Sequence, residues 1–364
     1  MIVLKKLAII GVALVTAGTP AQMPMMDMNA PAATIEDTGD AFIITTQPVA
    51  LPAMADHDHG GHSGIFPPVA TIELPSHAYL RGFEYEIIDQ DGNVLPSEIL
   101  HHFNVIDPVH RELFLPISQR LLAAGSETGN RYMPRLLFGV PVVAGQPLVI
   151  STMLHNPTGV AHDAVSLRIK LPYVEVGRPW PLFDVFPFQI DVAFPAGDKS
   201  FDLPPGKSSQ SWEGSPSQEG RVMVVGSHMH ENATHIIWEN LTEGDTLWTG
   251  YPVRDDEGNL ETVTIGHLYR TLGVKIYPDH VYRVTVHYEN STADTLAAGG
   301  MGVVAGVFMP SRGGPWPRAD ATNDLYALDR LHYLREVRGP LDVIADGGGV
   351  IGETAETDHG GHAH

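Results

Sequence analysis

Short segments in which apolar and polar residues alternate recur along most of the chain. Examples are RGFEYEIID at 81–89, PLVISTML at 147–154, VSLRIKL at 165–171, VYRVTVHY at 281–288 and VVAGVFM at 303–309. Turn sequences separate them, in keeping with 37 Gly and 29 Pro in 364 residues. Alternation interrupted by such turns is typical of antiparallel strands. The pattern therefore predicts an all-β protein made of two consecutive antiparallel β-sandwich domains.

The order of the segments also predicts how the chain is divided. A first sandwich is expected over residues 67–197 and a second over 198–312, with a boundary near 196–198. Two segments, 118–124 and 320–335, have helical rather than alternating spacing. Residues 313–364 are expected to contain the second of these as a short helix, followed by a disordered, His-rich tail.

The first 21 residues predict a secretory signal peptide. Lys5 and Lys6 precede an apolar run over 7–17, and small residues follow it. These are the three parts of such a signal. No later segment approaches the roughly 20 apolar residues that span a bilayer. We therefore expect a periplasmic or secreted protein with no membrane insertion after signal cleavage.

Residues 22–66 and the C-terminus are both rich in possible metal ligands. The leader begins with MPMMDM and ends with HDHGGH, and the chain ends with DHGGHAH. We predict that the leader is disordered and that both tails capture metal, because clustered His and Met favour transition metals. The alternative is that they are simply polar tails. The His residues concerned are His57, His59, His62, His359, His362 and His364.

Composition narrows the possible functions. The formal net charge is -21, which argues against binding to nucleic acid, because phosphates need a basic surface. There is no Cys, which excludes disulfides, thiolate metal sites and thiol nucleophiles. The 19 His are an unusually large number for a soluble protein. Metal chemistry based on imidazole is therefore the first possibility to consider.

His228 and His230 form an H-x-H pair on a predicted strand. Residues at i and i+2 of a strand face the same side, roughly 6–7 Å apart, so both rings could bind one ion. Met309 offers a soft thioether as a third ligand, and a His2Met set suits copper. Such pairs also occur without any metal.

His101 and His102 are adjacent in SEILHHFNV, and His155 follows the strand PLVISTML. Neighbours on a regular strand face opposite sides of the sheet, so joint ligation by this pair requires a local twist or a bulge. Alternatively, one ring is buried and the other is exposed. Three imidazoles would suit copper or zinc about equally.

This order of elements resembles that of the copper type II, ascorbate-dependent monooxygenases, the family of peptidylglycine α-hydroxylating monooxygenase and dopamine β-monooxygenase. The shared order is His-His, a single His at a strand end, H-x-H, and a Met after Gly-Gly. The surrounding segments LFGVPVVAGQPLVISTMLHNPT, FDLPPGKS and HVYRVTVHYENST…GGMGVVAGVFM are similar as well. The resemblance covers roughly residues 70–312.

The resemblance implies two jelly-roll domains that each hold one copper ion. His101, His102 and His155 would bind the copper that passes an electron. His228, His230 and Met309 would bind the copper that activates O2 to hydroxylate a C–H bond of a small molecule or peptide. Ascorbate or another external reductant would supply the electrons.

The chain also departs from the family. It lacks the family's disulfides, and Asn156 stands where the family has an aromatic residue. The position of the Met is shifted, so Met301, His287 and His235 are weaker candidates for the third ligand of the second site. Two other functions therefore stay open, a non-catalytic copper-binding or delivery protein and a double jelly roll that binds a carbohydrate or a protein partner.

Overall fold

The computed structural model describes residues 31–53, 64–193, 199–313 and 315–335. Within these ranges the chain consists almost entirely of strands, which confirms the predicted all-β fold of consecutive antiparallel sandwiches. The predicted signal peptide and the six tail His lie outside the described residues.

The first sandwich is built from two sheets. Its strands are β1 (Ala33–Asp37), β2 (Ala41–Thr46), β3 (Val49–Leu51), β4 (Ala70–Glu73), β5 (Ala78–Leu80), β6 (Gly82–Asp89), β7 (Val94–Leu95), β8 (Leu100–Arg111), β9 (Ser118–Gly125), β10 (Arg131–Tyr132), β11 (Phe138–Val142), β12 (Pro147–Leu154), β13 (His162–Glu175) and β14 (Phe183–Asp184). One sheet has the order β1-β2-β13-β5-β11-β14 with four further strands attached, and the other has the order β4-β12-β8-β9. Both sheets contribute to one core.

Part of the predicted disordered leader belongs to this sandwich, contrary to our expectation. Residues 33–51 form β1, β2 and β3, and β2 pairs with β13 in the middle of the larger sheet. Phe42, Ile44 and Leu51 are completely buried. The physical reason is a short apolar alternation around the turn at Gly39, where φ is +86°. The Met- and His-rich sequences on either side of it obscured this hairpin.

The second sandwich begins earlier than predicted. Its strands are β15 (Phe186–Asp191), β16 (Phe201–Leu203), β17 (Gly206–Gly214), β18 (Gly220–Met229), β19 (Ala233–Asn240), β20 (Asp245–Gly250), β21 (Pro252–Arg254), β22 (Leu260–Val263), β23 (Val274–Ile276), β24 (Tyr282–Asn290), β25 (Leu296–Gly300) and β26 (Gly302–Pro310). Its two main sheets have the orders β15-β26-β18-β23 and β17-β24-β19-β20. Because β15 pairs with β26, the boundary precedes Phe186 rather than lying near 196–198.

The two predicted helices have different outcomes. Residues 118–124 lie in strand β9, which pairs with β8, so that prediction is wrong. The second helix is present as α1 (Asp324–Arg335). Among the described residues no helix is long and apolar enough to cross a membrane.

The two sandwiches are in direct contact. Leu113 and Phe114, in the connection between β8 and β9, pack into the core of the second sandwich. The neighbouring Glu112 accepts hydrogen bonds from the backbone N–H groups of Arg120 in β9 and Gln189 in β15. This contact fixes the ends of β8 and β9 relative to the second sandwich.

Candidate metal centre

A β-bulge brings His101 and His102 together. In the pairing of β8 with β12, Met153 lies opposite His102 and Leu154 opposite Leu100, so His101 is an extra residue. A bulge of this kind breaks the regular alternation of side chains. The Nδ1 atoms of the two rings consequently lie 2.9 Å apart. The sequence predicts that joint ligation requires a local twist or a bulge, and the structure has the bulge.

His155 lies beside this pair because it directly follows β12. Its backbone N–H donates to the carbonyl of Ile99 at 3.0 Å, just before β8. The centres of the His155 and His101 rings are 5.8 Å apart at an angle of 78°. The Nδ1 atom of His155 is buried and has no hydrogen-bond partner. We refer to His101, His102 and His155 as the three-histidine site.

Burial favours neutral rings at this site. Desolvation lowers the pKa of His102 to about 3, and the charge of His101 contributes further. Desolvation also lowers the pKa values of His101 and His155. At neutral pH these imidazoles are therefore uncharged, which is the form that binds metal.

His228 and His230 lie at the end of β18, with ring centres 5.3 Å apart. The backbone N–H of His230 donates to the hydroxyl of Tyr288 at 3.0 Å. Desolvation lowers the pKa of His230 to about 4. The i and i+2 spacing thus places both rings together, as predicted. We call this pair the H-x-H site.

The H-x-H site lies close enough to the three-histidine site for the charges of their rings to interact, at the boundary between the sandwiches. The charge of His228 lowers the pKa of both His101 and His102, although desolvation is the larger cause for each. The Nδ1 atom of His228 also lies 2.6 Å from Oε1 of Glu127, which follows β9 in the first sandwich. Five His and one carboxylate therefore gather at one boundary.

The pairing of β26 with β18 places Met309 away from the H-x-H site, so the prediction of Met309 as a ligand of this site is wrong. Strand β26 runs antiparallel to β18, with Val303 opposite His228 and Met309 opposite Arg221. Six residues of strand separate Val303 from Met309, which is roughly 20 Å. Met309 instead lines a recess of about 410 Å³ with Phe183.

Met301 lies at the correct end of β26. Its backbone N–H donates to the hydroxyl of Tyr288 at 3.0 Å, the same hydroxyl that accepts the N–H of His230. The Tyr288 hydroxyl in turn donates to the carbonyl of Met301. Met301 is therefore a thioether residue whose backbone shares a hydrogen-bond partner with the H-x-H site.

The two weaker His candidates form a separate pair. His235 and His287 are cross-strand partners on β19 and β24, and their rings stack 4.3 Å apart. Tyr288, the next residue after His287, faces inward toward His230, so alternation directs His287 to the opposite face of the sheet. His235 and His287 are thus not third ligands of the H-x-H site in this arrangement.

The imidazole side chains of the three-histidine site are suitable metal ligands, and the spacing of two of them suits a bound metal. Imidazole nitrogens lie about 2.0 Å from a bound first-row metal, so two ligands at right angles are about 2.9 Å apart. The Nδ1 atoms of His101 and His102 have this separation. Within the described ranges, however, no group of three or more His, Asp or Glu side chains could hold a metal ion as it stands. The ring of His155 would have to move toward the pair.

Sequence reasoning did not identify Glu127. This acid lies in the turn sequence GSETGN, where a solvated side chain is the ordinary expectation. Its partner His228 is 101 residues away along the chain. Only the packing of the two sandwiches brings them together.

Comparisons with known proteins do not identify a family. No protein-family model matches the chain, and no curated protein matches it significantly. Among solved structures, PNGF-II is similar with a TM-score of 0.34 and 7% identity, over 74% of this chain and 66% of that one. Chains from Sulfolobus Turreted Icosahedral Virus (TM-score 0.16, 8% identity, 70% of this chain and 61% of that one) and infectious bursal disease virus Gx strain (TM-score 0.18, 12% identity, 82% and 75%) are also similar. Likenesses at this level carry no argument about function.

Proposed function

We propose that this chain is an exported copper protein that binds two copper ions where its sandwiches meet. The three-histidine site holds one ion, and the H-x-H site holds the other with Met301 as its thioether ligand. The observation that carries this proposal is the convergence of five His, from three separate strand ends, at one boundary. Scattered rings would have left it without support.

Copper suits this set of donors. The chain has no Cys, so thiolate is unavailable, while imidazole and thioether ligands are those that copper accepts in both of its oxidation states. When bound, copper would supply one-electron transfer and the activation of O2. The protein's own contribution is to keep the rings of the three-histidine site and of His230 neutral by burial, to turn two adjacent rings together at a bulge, and to hold His230 and Met301 through Tyr288.

The resemblance to ascorbate-dependent copper monooxygenases supports hydroxylation of a C–H bond as the reaction. The order of His along the chain and their distribution over two sandwiches agree with that family. Ascorbate or another external reductant would deliver electrons, and the substrate would be a small molecule or a peptide. The predicted signal peptide supports a periplasmic or secreted location.

A copper-binding or delivery protein without catalysis is the second candidate. It is favoured by the position of Met309, because the family's Met position is not filled as the resemblance implied. The Met- and His-rich tail sequences agree with it. A double jelly roll that binds a carbohydrate or a protein partner is the third possibility, and it requires no metal.

Copper stoichiometry tests the proposal. The full chain is used because β1–β3 cannot be removed from the first sandwich, and the six tail His are replaced by Ala. After reconstitution, elemental analysis should give two copper ions per chain, and His102→Ala and His230→Ala should each leave one. Retention of no copper by the tail-substituted protein would contradict the proposal. Uptake of O2 with ascorbate then separates an enzyme from a carrier.

A further inference from the structure

Glu127 is a carboxylate of the first sandwich that contacts a His of the second. Its Oε1 atom lies 2.6 Å from Nδ1 of His228, and the side chain of Glu127 is only 13% exposed. Glu127 follows β9, whose last residue Gly125 is the cross-strand partner of His102. The same turn therefore adjoins both sets of His.

The turn is built to hold this carboxylate in place. The Thr128 hydroxyl donates to Oε1 of Glu127 at 3.2 Å and accepts the backbone N–H of Gly125 at 3.0 Å. A Cβ atom on Gly125 would lie 2.4 Å from Oε2 of Glu127, so a larger residue at position 125 would displace the carboxylate from this position. Such packing is not expected of a freely solvated turn residue.

Tyr85 fixes the two ends of the turn. Its hydroxyl donates to the carbonyl of Gly125 at 2.8 Å and accepts the backbone N–H of Gly129 at 3.3 Å. Tyr85 belongs to β6 of the opposite sheet of the first sandwich. The position of Glu127 is thus set by the sandwich as a whole.

The contact determines which nitrogen of His228 carries a proton. An ionised carboxylate only accepts hydrogen bonds, so Nδ1 of His228 must be the donor. In the neutral ring Nε2 then has a free lone pair. A carboxylate that holds one nitrogen of a metal-binding imidazole fixes both its tautomer and its orientation.

We propose that Glu127 is a positioning residue for the H-x-H site. From across the domain boundary, its carboxylate orients the ring of His228 so that Nε2 faces the metal. This inference rests on the proposed function. It makes the second copper site a composite, because His228 and His230 come from one sandwich and the residue that orients His228 comes from the other.

The test compares Glu127→Ala with Glu127→Gln in the full chain lacking the six tail His. Loss of such a carboxylate costs about tenfold to a hundredfold in metal affinity. Competition with a chromophoric Cu(I) chelator should show this loss at the H-x-H site for Glu127→Ala, with the three-histidine site unchanged. Glu127→Gln keeps a carbonyl acceptor and should restore part of the affinity. The matched control is Glu239→Ala, which removes a carboxylate paired with Arg283 away from the centre.

A second measurement does not depend on copper. Nitrogen chemical shifts of ¹⁵N-labelled His in the metal-free protein report the tautomer of each ring. At alkaline pH, where the ring is neutral, His228 should carry its proton on Nδ1 in the wild type and lose this preference in Glu127→Ala. If Glu127→Ala changes neither the copper affinity of the H-x-H site nor the tautomer of His228, the role given to Glu127 is wrong, while the proposed function is unaffected. A wild type that binds no copper at the H-x-H site would overturn the proposed function and the inference with it.

Discussion

At the scale of single residues, the centre depends on a few local devices. The bulge at His101 turns two adjacent rings together, and the Tyr288 hydroxyl joins the backbones of His230 and Met301. The sequence predicted the five His because strand periodicity and strand ends are visible in it. It did not reveal Glu127 or favour Met301, because both depend on contacts between distant segments.

The thioether assignment gives the first prediction. Met301→Leu should weaken Cu(I) binding at the H-x-H site by about tenfold, because a ligand that favours soft copper is lost. Met309→Leu is the matched control and should leave the affinity unchanged, since Met309 lies at the far end of β26. Chelator competition measures both variants. A loss for Met309→Leu but not for Met301→Leu would reverse the assignment.

The low pKa values predict how the stability of the copper-free protein depends on pH. The folded pKa values of His102 and His230 are about 3 and about 4, below the ordinary value of 6.5. Between these pKa values and 6.5 the two rings bind protons in the unfolded chain but not in the folded one, so their contribution to stability falls as pH falls below about 6.5. Each ring changes the free energy of unfolding by up to about 1.4 kcal/mol per pH unit. Urea denaturation between pH 7 and pH 5 should show a shallower decline for His102→Gln than for the wild type. Equal slopes would contradict the burial argument.

At the scale of elements, the sequence predicts where strands lie more reliably than it predicts which strands pair and in which register. The periodicity of β18 and β26 is recognisable in the sequence, but their register is not, so the sequence does not reveal that Met309 lies opposite Arg221 rather than His228. Helix α1 shows a similar limit. Leu spacing predicted its existence, yet Leu328 and Leu331 are exposed at 44% and 42%, while Tyr326, Asp329 and Tyr333 are buried.

The polar docking of α1 gives a prediction about stability. Asp329 accepts two hydrogen bonds from the guanidinium of Arg120, at 2.6 and 2.5 Å, and both residues are 5% exposed. Asp329→Ala should lower the free energy of unfolding by about 3 kcal/mol or more, because it leaves a buried cation unpaired. Glu175→Gln removes an exposed partner of Arg178 and should change it by less than about 1 kcal/mol. Urea denaturation measures both free energies of unfolding. If Asp329→Ala lowers this free energy as little as Glu175→Gln does, the Arg120–Asp329 pair does not hold α1 in place.

At the scale of the whole molecule, the boundary between the sandwiches is itself structural. Phe114, from the first sandwich, is 5% exposed and packs against Phe188, Trp212 and Tyr282 of the second. The sequence predicts two domains but does not reveal that Phe114 of the first packs into the core of the second, because a Phe in a connecting segment gives no sign of where it packs. The centre therefore lies at an interface that both cores support.

This shared core predicts joint unfolding. Phe114→Ala should cost about 3–5 kcal/mol and lower the temperature of one common transition in calorimetry, because it removes packing that joins the two sandwiches. Two separate transitions in the wild type, of which Phe114→Ala shifts only one, would show that the sandwiches are independent.

The most direct test of copper binding between the sandwiches is a crystal structure of the copper-loaded protein, with anomalous differences measured at the copper edge. We predict two peaks, one bonded to Nδ1 of His101 and His102 with His155 drawn in, and one bonded to His228 and His230. Peaks only at His235 and His287 or in the tails, or no peak at all, would contradict this account.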